Sequence, residues 1–239
     1  MMVAAIMSTM SFRFKQFFVN DDRCAMKVGT DGVLLGAWCP TGTHILDVGT
    51  GCGLIALMLA QRCPGAQIDA IDIDAAAVQQ AKENAQISNF KSQISNFVSR
   101  LQDWKSKTKY DLVVSNPPYF RNSLKNPDTG RKMARHTDEL SYEELIAHSV
   151  RLLQADGQLA LILPAEEEAN VRALALAAGL QLTHITRVFS KETKPARRVL
   201  LAFRHSPLAI SLVEDSLILE NEIGGRSAAY SKLCEEFYL

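Results

Sequence analysis

Short apolar runs alternate with longer amphipathic segments along the central part of the chain, from Gly42 to about His205. The short runs are rich in β-branched residues, which is typical of strands, and the longer segments have the period of a helix. Strands that alternate with helices predict βαβ units and hence a mostly parallel sheet. The predicted strands are His44–Val48, Gln67–Asp72, Tyr110–Ser115, Gln158–Leu163, Leu182–Phe189, Val199–Phe203 and a weaker one near Gln93–Ser99. The predicted helices are Leu54–Arg62, Ala75–Ile87, Ser141–Gln154 and Ala165–Ala178.

Local signals define two helix ends and the last connection between strands. Ser141, followed three residues later by Glu144, forms a capping box that predicts a helix start. Gly179 suits the end of the next helix. Only Ser190–Arg198 separates the last two strands, which is too short for a helical crossover, so these strands should pair antiparallel. The sequence therefore predicts an α/β fold whose mostly parallel sheet ends in an antiparallel hairpin.

The composition is that of one globular domain with a sizeable core, because 47% of the 239 residues are hydrophobic. The charge balances at 26 basic against 26 acidic residues, which neither supports nor excludes a nucleic-acid partner. The five cysteines form no Cys-x-x-Cys pair, which indicates reduced thiols and no metal site. The N-terminal residues lack the basic region of a secretory signal, and no stretch approaches the roughly 20 apolar residues of a membrane span. We therefore expect a cytoplasmic monomer.

A glycine-rich turn, Asp47-Val48-Gly49-Thr50-Gly51-Cys52-Gly53, joins the first predicted strand to the first helix. A phosphate-binding P-loop needs Gly-Lys-Ser/Thr after the turn, whereas Leu54 and Ile55 follow here. A dinucleotide fold needs Gly-x-Gly-x-x-Gly, and the Asp47 carboxylate would repel its pyrophosphate. An acid at this position suits a cationic ligand instead. The turn therefore favours S-adenosylmethionine, which carries an amine and a sulfonium but no phosphate.

Further acids follow the next two predicted strands. Asp72 ends the second strand, where an acid can accept hydrogen bonds from ribose hydroxyls. Asp74 is expected to cap the following helix. Asp103, after the third strand, is a candidate acceptor for the adenine amino group of the cofactor. The predicted cofactor-binding residues are Asp47, Gly49, Gly51, Gly53, Asp72 and Asp103.

The tetrapeptide Asn116-Pro117-Pro118-Tyr119 directly follows an apolar strand and carries the predicted chemistry. Ligands of open α/β sheets bind outside the carboxyl ends of the strands, so the tetrapeptide should lie beside the glycine turn. The amino nitrogen of adenine or of a carboxamide is a poor nucleophile because its lone pair is delocalised. The Asn116 side-chain oxygen and the Pro117 carbonyl are expected to hold its hydrogens and to aim the lone pair at the methyl group. Tyr119 offers a face for base stacking, worth roughly 1–3 kcal/mol.

The two motifs together resemble the class I methyltransferases that act on amino groups of nucleobases or of glutamine. Three further segments resemble the bacterial valine-tRNA adenine-N6 methyltransferases: Phe14-Lys15-Gln16-Phe17, Met26-Lys27-Val28-Gly29-Thr30-Asp31-Gly32-Val33-Leu34-Leu35-Gly36-Ala37-Trp38 and Ala134-Arg135-His136-Thr137-Asp138-Glu139-Leu140. The resemblance runs from about Phe12 to Leu239. It implies a seven-stranded Rossmann-like fold, S-adenosylmethionine as methyl donor and the adenine just 3′ of the anticodon as target.

The resemblance also suggests how one domain is divided along the chain. We expect an N-terminal extension at 1–42 that contributes to the cofactor pocket, a Rossmann-like core at 43–205 and a C-terminal extension at 206–239.

Two basic loops point to RNA as the partner. Residues 121–135 contain five basic residues against one acid, and residues 187–198 have the same balance. Phosphate contacts dominate affinity for nucleic acids and require such clusters. The predicted substrate contacts are Arg121, Lys125, Arg131, Arg135, Lys194 and Arg197.

The predicted function is N6 methylation of an adenine in tRNA. The core motifs leave three alternatives open: methylation of a glutamine in a release factor, methylation of adenine in DNA, and a non-catalytic RNA-binding protein.

Overall fold

The computed structural model describes residues 11–118, 140–205 and 211–239. The first range contains β1 (Ser11–Arg13), β2 (Phe18–Asn20), α1 (Thr30–Trp38), β3 (His44–Val48), α2 (Leu54–Arg62), β4 (Gln67–Asp72), α3 (Ala75–Ile87), β5 (Ile94–Val98) and β6 (Tyr110–Ser115). The other two contain α4 (Tyr142–Leu152), β7 (Leu153–Pro164), a 3₁₀ turn (Ala165–Glu167), α5 (Glu168–Ala177), β8 (Leu180–Phe189), β9 (Ala196–His205), β10 (Val213–Ile218) and α6 (Ala228–Leu233).

The central elements confirm the predicted pattern, and β3, α2, β4, α3 and β6 have the predicted bounds. The capping box before α4 is also present. The Ser141 hydroxyl accepts from the Glu144 N–H at 3.2 Å, and the Glu144 carboxylate accepts from the Ser141 N–H at 3.0 Å. Gly179 ends α5 with a φ of 83°, a conformation that glycine adopts without steric cost. Local signals therefore determine these helix ends.

Eight strands form the main sheet, in the order β10-β8-β9-β7-β6-β3-β4-β5. Strands β3 to β7 pair parallel with one another, and β9 pairs antiparallel with both β7 and β8. The predicted mostly parallel sheet with an antiparallel hairpin is confirmed. The predicted number of seven strands is corrected to eight, because β10 adds a strand parallel to β8 at the sheet edge. The largely exposed residues of β10 carry no apolar pattern that would reveal this strand.

Two apolar clusters cover the two faces of the sheet. One cluster combines residues of α1, α2, α3 and the β1–β2 segment, and the other combines residues of α4 and α5. Helix α1 was not predicted, because Gly32–Ala37 are all buried and the helix lacks a polar face that would reveal its period. Its burial fixes the N-terminal segment against the core beside the glycine turn.

Neither a metal-binding group nor a membrane span is found in the described ranges. No cluster of three or more histidine, cysteine, aspartate or glutamate side chains there has an arrangement that could hold a metal ion. No helix in those ranges combines the length and the apolar character needed to cross a bilayer.

Candidate active site

A cavity of about 780 Å³ opens at the carboxyl ends of β3, β4 and β6. The strand register creates it, because Val48 pairs with both Ile71 and Ser115, so the three strands end at one level. The loops that follow these strands meet there. Its size is ordinary for a small-molecule site. The N-terminal segments 24–27 and 29–32 form the facing wall, which places part of the 1–42 region at the cavity.

The three glycines of the turn have different surroundings, although all have positive φ values. A Cβ atom built on Gly49 or Gly51 meets nothing within 4 Å, so both positions face open space in the cavity. A Cβ atom on Gly53 would lie 3.1 Å from Cβ of Ala81 in α3, and Gly53 does not line the cavity. Gly49 and Gly51 therefore leave room for a ligand, whereas Gly53 allows α2 and α3 to pack closely.

Asp47 lies beneath the turn and is completely buried. Its Oδ2 accepts a hydrogen bond from the Thr50 hydroxyl at 2.7 Å. Its Oδ1 is buried without a hydrogen-bond partner in the described part of the chain. Burial raises the pKa of Asp47 to about 7, against the lowering effects of the Thr50 hydroxyl and the Ala56 backbone N–H. Thr50 lines the cavity while Asp47 does not, so the carboxyl group acts on the cavity from behind the turn.

Asp72 lines the cavity at the end of β4 and braces the turn. One carboxylate oxygen accepts from the Gly51 N–H at 2.9 Å, and the other accepts from the Asp74 N–H at 3.0 Å. Each oxygen keeps a second lone pair for a ligand hydroxyl. Asp74 caps α3 by accepting from the Ala76 N–H at 2.8 Å, as predicted.

Asn116 presents an unused acceptor at the cavity wall. Its amide nitrogen donates to the Met26 sulfur at 3.8 Å. Its Oδ1 is buried and has no hydrogen-bond partner among residues 11–118, 140–205 and 211–239. A thioether can accept but cannot donate a hydrogen bond, so this contact selects the amide orientation in which the oxygen remains free. Pro117 and Pro118 also line the cavity, whereas Tyr119 lies outside the described residues.

Asp103 is not brought to the cavity. Its N–H donates to the Arg100 carbonyl at 3.2 Å in a turn that leaves the Asp103 side chain exposed. Leu101 and Gln102 from the same turn line the cavity instead. The predicted residue, Asp103, is thus one position away from Gln102, whose side chain lines the cavity.

The basic segment 187–198 is partly neutralised by ion pairs. Arg187 pairs with Glu168 at 2.7 Å, Lys191 with Glu220 at 3.4 Å and Arg198 with Asp31 at 2.8 Å. These partners lie in other parts of the chain, so a count along the sequence overstates the local positive charge.

Two basic residues of this segment remain available. Lys194 and Arg197 are exposed and have no ion pair with any other described residue. Arg198 of β9 pairs with Pro164, the last residue of β7. The β8–β9 loop therefore lies at the carboxyl ends of the parallel strands, as Asn116 does. The other predicted contacts, Arg121, Lys125, Arg131 and Arg135, lie outside the described residues.

The cavity-wall side chains that were not predicted include Cys24, Met26, Thr50 and Gln102. The sequence could have predicted the role of Thr50, because a hydroxyl three residues after a buried acid in a tight turn can donate a hydrogen bond to that acid. Met26 and Cys24 could not have been predicted in this way, because their position depends on the packing of the N-terminal segment against the core.

Comparisons with known proteins agree with this architecture. The family model described as methyltransferase small domain matches residues 29–187. A tRNA1(Val) (adenine(37)-N6)-methyltransferase of Phocaeicola vulgatus is 46% identical over 230 residues, which cover 95% of this chain and 97% of that protein. A protein of the same name from Tolumonas auensis is 43% identical and covers 96% of this chain and 97% of its own length.

Solved structures show the same fold at low sequence identity. A crystal structure described as a predicted O-methyltransferase from Agrobacterium tumefaciens matches with a TM-score of 0.65 at 18% identity and covers 87% of this chain and 96% of that one. The N-methyltransferase NodS of Bradyrhizobium japonicum, in complex with S-adenosyl-L-homocysteine, matches with a TM-score of 0.52 at 15% identity, covering 74% and 84%. The sheet, the cavity and the near full-length relatives lead to one conclusion: the chain belongs to the bacterial valine-tRNA adenine-N6 methyltransferase family, within the class I methyltransferase fold.

Proposed function

We propose that this protein transfers a methyl group from S-adenosylmethionine to the N6 amine of adenine 37 in tRNA1(Val), beside the anticodon. The observation that carries the proposal is the unpaired Oδ1 of Asn116 at the wall of the cavity. A buried acceptor without a donor costs about 1–3 kcal/mol, and at the wall of a cavity a bound ligand can supply the donor. An exocyclic amine supplies the missing donor. The names of the relatives that match nearly the full chain support adenine in tRNA as its source.

The residues of the turn fit the methyl donor. The unpaired Oδ1 and the raised pKa of Asp47 provide a buried acid that a cationic ammonium at the cavity would stabilise in its charged form. The open space at Gly49 and Gly51 admits a ligand directly against the backbone. Asp72 offers its remaining lone pairs to ribose hydroxyls. S-adenosylmethionine bound there supplies an electrophilic methyl group.

The adenine end of the donor has an acceptor in the described cavity wall. The side chain of Gln102 hydrogen-bonds to the Glu144 carboxylate and so uses its amide N–H. Its carbonyl oxygen is therefore left to accept from the amino group of the cofactor's adenine. In this proposal Gln102 takes the role that the sequence suggested for Asp103.

Asn116 and Pro117 prepare the target nitrogen for attack. The Asn116 oxygen and the Pro117 carbonyl accept the two N–H bonds of the amine. This arrangement draws the nitrogen toward a tetrahedral geometry and directs its lone pair into the cavity. The proton is lost to water after transfer, so no strong general base is required. Tyr119 is proposed to stack on the target base, and Pro117 and Pro118 keep the corner rigid.

The exposed basic side chains at this end of the sheet are proposed to bind the parts of the tRNA outside the target base. Lys194 lies on the β8–β9 loop and Arg197 at the start of β9, at the end of the sheet where Asn116 lies. Arg121, Lys125, Arg131 and Arg135 extend the predicted contacts. We propose that these side chains bind backbone phosphates and carry no base specificity. We propose in addition that the protein acts as a cytoplasmic monomer.

The substrate is tested by incubating the protein with labelled S-adenosylmethionine and separate pools of unmodified tRNA, DNA and release factor. We expect label in tRNA alone, recovered as N6-methyladenosine after digestion. A tRNA1(Val) transcript with guanine in place of adenine 37 is the matched control and should remain unlabelled. Label in DNA or in the release factor, with none in tRNA, would exclude the proposed substrate.

The role of Asn116 is tested with Asn116→Ala. Because this variant removes a positioning group, we expect kcat to fall on the order of 10²-fold while the dissociation constant of S-adenosyl-L-homocysteine changes little. Asn96→Ala is the matched control, because Asn96 also has a buried unpaired oxygen but lies on β5 outside the cavity. Equal turnover of the two variants would remove Asn116 from the reaction.

A further inference from the structure

Two of the five cysteines line the wall of the same cavity. Cys24 belongs to the N-terminal segment, and Cys52 lies in the glycine turn between Gly51 and Gly53. The Cys52 side chain is near enough to Cys24 to lower the pKa of the Cys24 thiol. Each is only 5% exposed, and both line the cavity, so the cavity is their route to solvent. The other three, Cys39, Cys63 and Cys234, do not line it.

The pKa of Cys24 is shifted in the opposite direction from those of Cys39, Cys52 and Cys234. The hydrogen bond from Cys52 lowers the pKa of Cys24, while the same contact and burial raise the pKa of Cys52. Burial raises the pKa of Cys39 and of Cys234 to about 12. Since the thiolate is the nucleophilic form, the lowered pKa favours reaction at Cys24, whereas the raised pKa values of Cys39 and Cys234 disfavour it there.

We propose that Cys24 and Cys52 form a modification site that reacts with peroxides to give a disulfide across the cofactor cavity. The Cys24 thiolate attacks one peroxide oxygen, the O–O bond breaks, and Cys24 becomes a sulfenic acid as water or an alcohol leaves. The Cys52 sulfur then attacks the sulfenic sulfur and displaces the hydroxyl group as water. The two thiols lose two electrons and two protons in total, and the peroxide is reduced by the same two electrons.

The disulfide alters the shape of the cofactor site. An S–S bond of about 2 Å is shorter than any thiol hydrogen bond, so its formation draws the glycine turn toward the N-terminal segment. Gly51 and Thr50, which precede Cys52, must move with it, and the space in front of them narrows. Conversely, a ligand bound in the cavity covers both thiols and protects them from the peroxide. Oxidation and cofactor binding therefore oppose each other, and each must weaken the other by the same factor.

The site is tested on the reduced full-length protein with hydrogen peroxide as the probe. We expect a mass loss of about 2 Da and one cross-linked peptide pair, Cys24 with Cys52, which a dithiol reductant reverses. Cys24→Ser and Cys52→Ser should each abolish the cross-link. Cys63→Ser, a buried thiol outside the cavity, is the matched control and should oxidise like the wild type. A cross-link that involves any other cysteine, or oxidation that stops short of a disulfide, would overturn the proposal.

The link to the cofactor has a separate measurement. Calorimetry should show that oxidised protein binds S-adenosyl-L-homocysteine at least 10-fold more weakly, with recovery on reduction. Saturating S-adenosyl-L-homocysteine should also slow cross-linking, because the bound ligand covers both thiols. Unchanged affinity after complete cross-linking would refute the effect on the cavity. This coupling rests on the proposed cofactor, whereas the cross-link is measured without tRNA, so a failed methylation assay and a failed modification site remain distinguishable.

Discussion

Asp47 is the buried acid on which the cofactor end of the site depends. The carboxyl group accepts from the Thr50 hydroxyl, the Ala56 N–H contributes a weaker backbone interaction, and Oδ1 has no partner at full hydrogen-bond geometry in the described structure. Ionising it there without a counter-charge is unfavourable, which is why its pKa is raised to about 7. The free protein therefore holds a neutral acid at mildly acidic pH, and a cationic ligand near the turn favours its charged form.

The raised pKa of Asp47 makes the stability of the free protein depend on pH. The folded state binds the Asp47 proton more tightly than the unfolded state, where the pKa is near 3.8. The resulting stabilisation is complete below about pH 4 and is lost as the pH rises to about 7. Relative to wild type, Asp47→Asn should gain up to roughly 4 kcal/mol in free energy of unfolding between pH 4 and pH 8. Urea denaturation at several pH values measures this, and parallel curves for the two proteins would contradict it.

The same acid should couple cofactor binding to proton release. An ammonium near the turn lowers the pKa of Asp47, so binding below pH 7 must expel the proton. The affinity for S-adenosyl-L-homocysteine should rise up to about tenfold from pH 6 to pH 8, with the increase levelling off above pH 7. In Asp47→Asn the dependence should be absent. Calorimetry in buffers of different ionisation enthalpy measures the released proton directly, and no release at pH 6 would exclude this role of Asp47.

The glycine turn is the element where the fold and the site meet. Asp72 fixes it by accepting from the Gly51 N–H, and the Ser115 hydroxyl donates to the Val48 carbonyl at 2.8 Å. The turn is thereby tied to both strands adjacent to β3. Its glycines serve two different purposes, which substitutions can separate.

Gly51→Ala and Gly53→Ala should have different consequences although both positions have positive φ. Each substitution costs about 1–2 kcal/mol of backbone strain. At Gly51 the added methyl group enters open cavity, so cofactor affinity should fall at least 10-fold with little further loss of stability. At Gly53 it meets Ala81, so stability should fall further by about 1–3 kcal/mol as α3 is displaced. Thermal unfolding and calorimetry together measure both effects, and equal stability losses would contradict the distinction.

The elements that the sequence predicts well are those whose signals are local. Strands β3, β4 and β6 are short apolar runs bounded by turn residues, and Ser141 and Gly179 mark helix ends by their own backbone chemistry. Helix α1 escapes prediction because it is buried on all sides. Strand β10 escapes because non-local contacts hold it: Asp215 accepts from Thr186 and lies 3.0 Å from the His184 ring nitrogen.

The candidate site divides in the same way. Motifs next to strand ends predict where Gly49, Gly51, Asp72 and Asn116 lie, because the sheet brings those ends together. Which loop residue faces the cavity, and which cation is already paired, depends on side-chain geometry that a linear pattern does not contain.

At the scale of the whole molecule, a net charge of zero conceals an uneven distribution. Several basic side chains are matched by acids from other elements, as in the pairs of Arg187 and Arg198. Lys194 on the β8–β9 loop and Arg197 at the start of β9 are exposed, without an ion pair among the described residues, at the end of the sheet where the cavity opens. Arg204 lies toward the opposite edge and is paired with Asp156 at 3.6 Å. A polyanion should therefore approach the cavity edge although the protein as a whole is neutral.

The salt dependence of tRNA binding distinguishes this arrangement from a general electrostatic attraction. Each phosphate contact contributes close to one unit to the slope of log affinity against log salt concentration. Lys194→Ala and Arg197→Ala should each weaken binding and reduce that slope by about one. Arg204→Ala removes the same charge at the opposite edge and should leave the slope unchanged. If all three variants weakened binding equally, net charge rather than position would govern the encounter, and the β8–β9 loop would lose its role as an RNA contact.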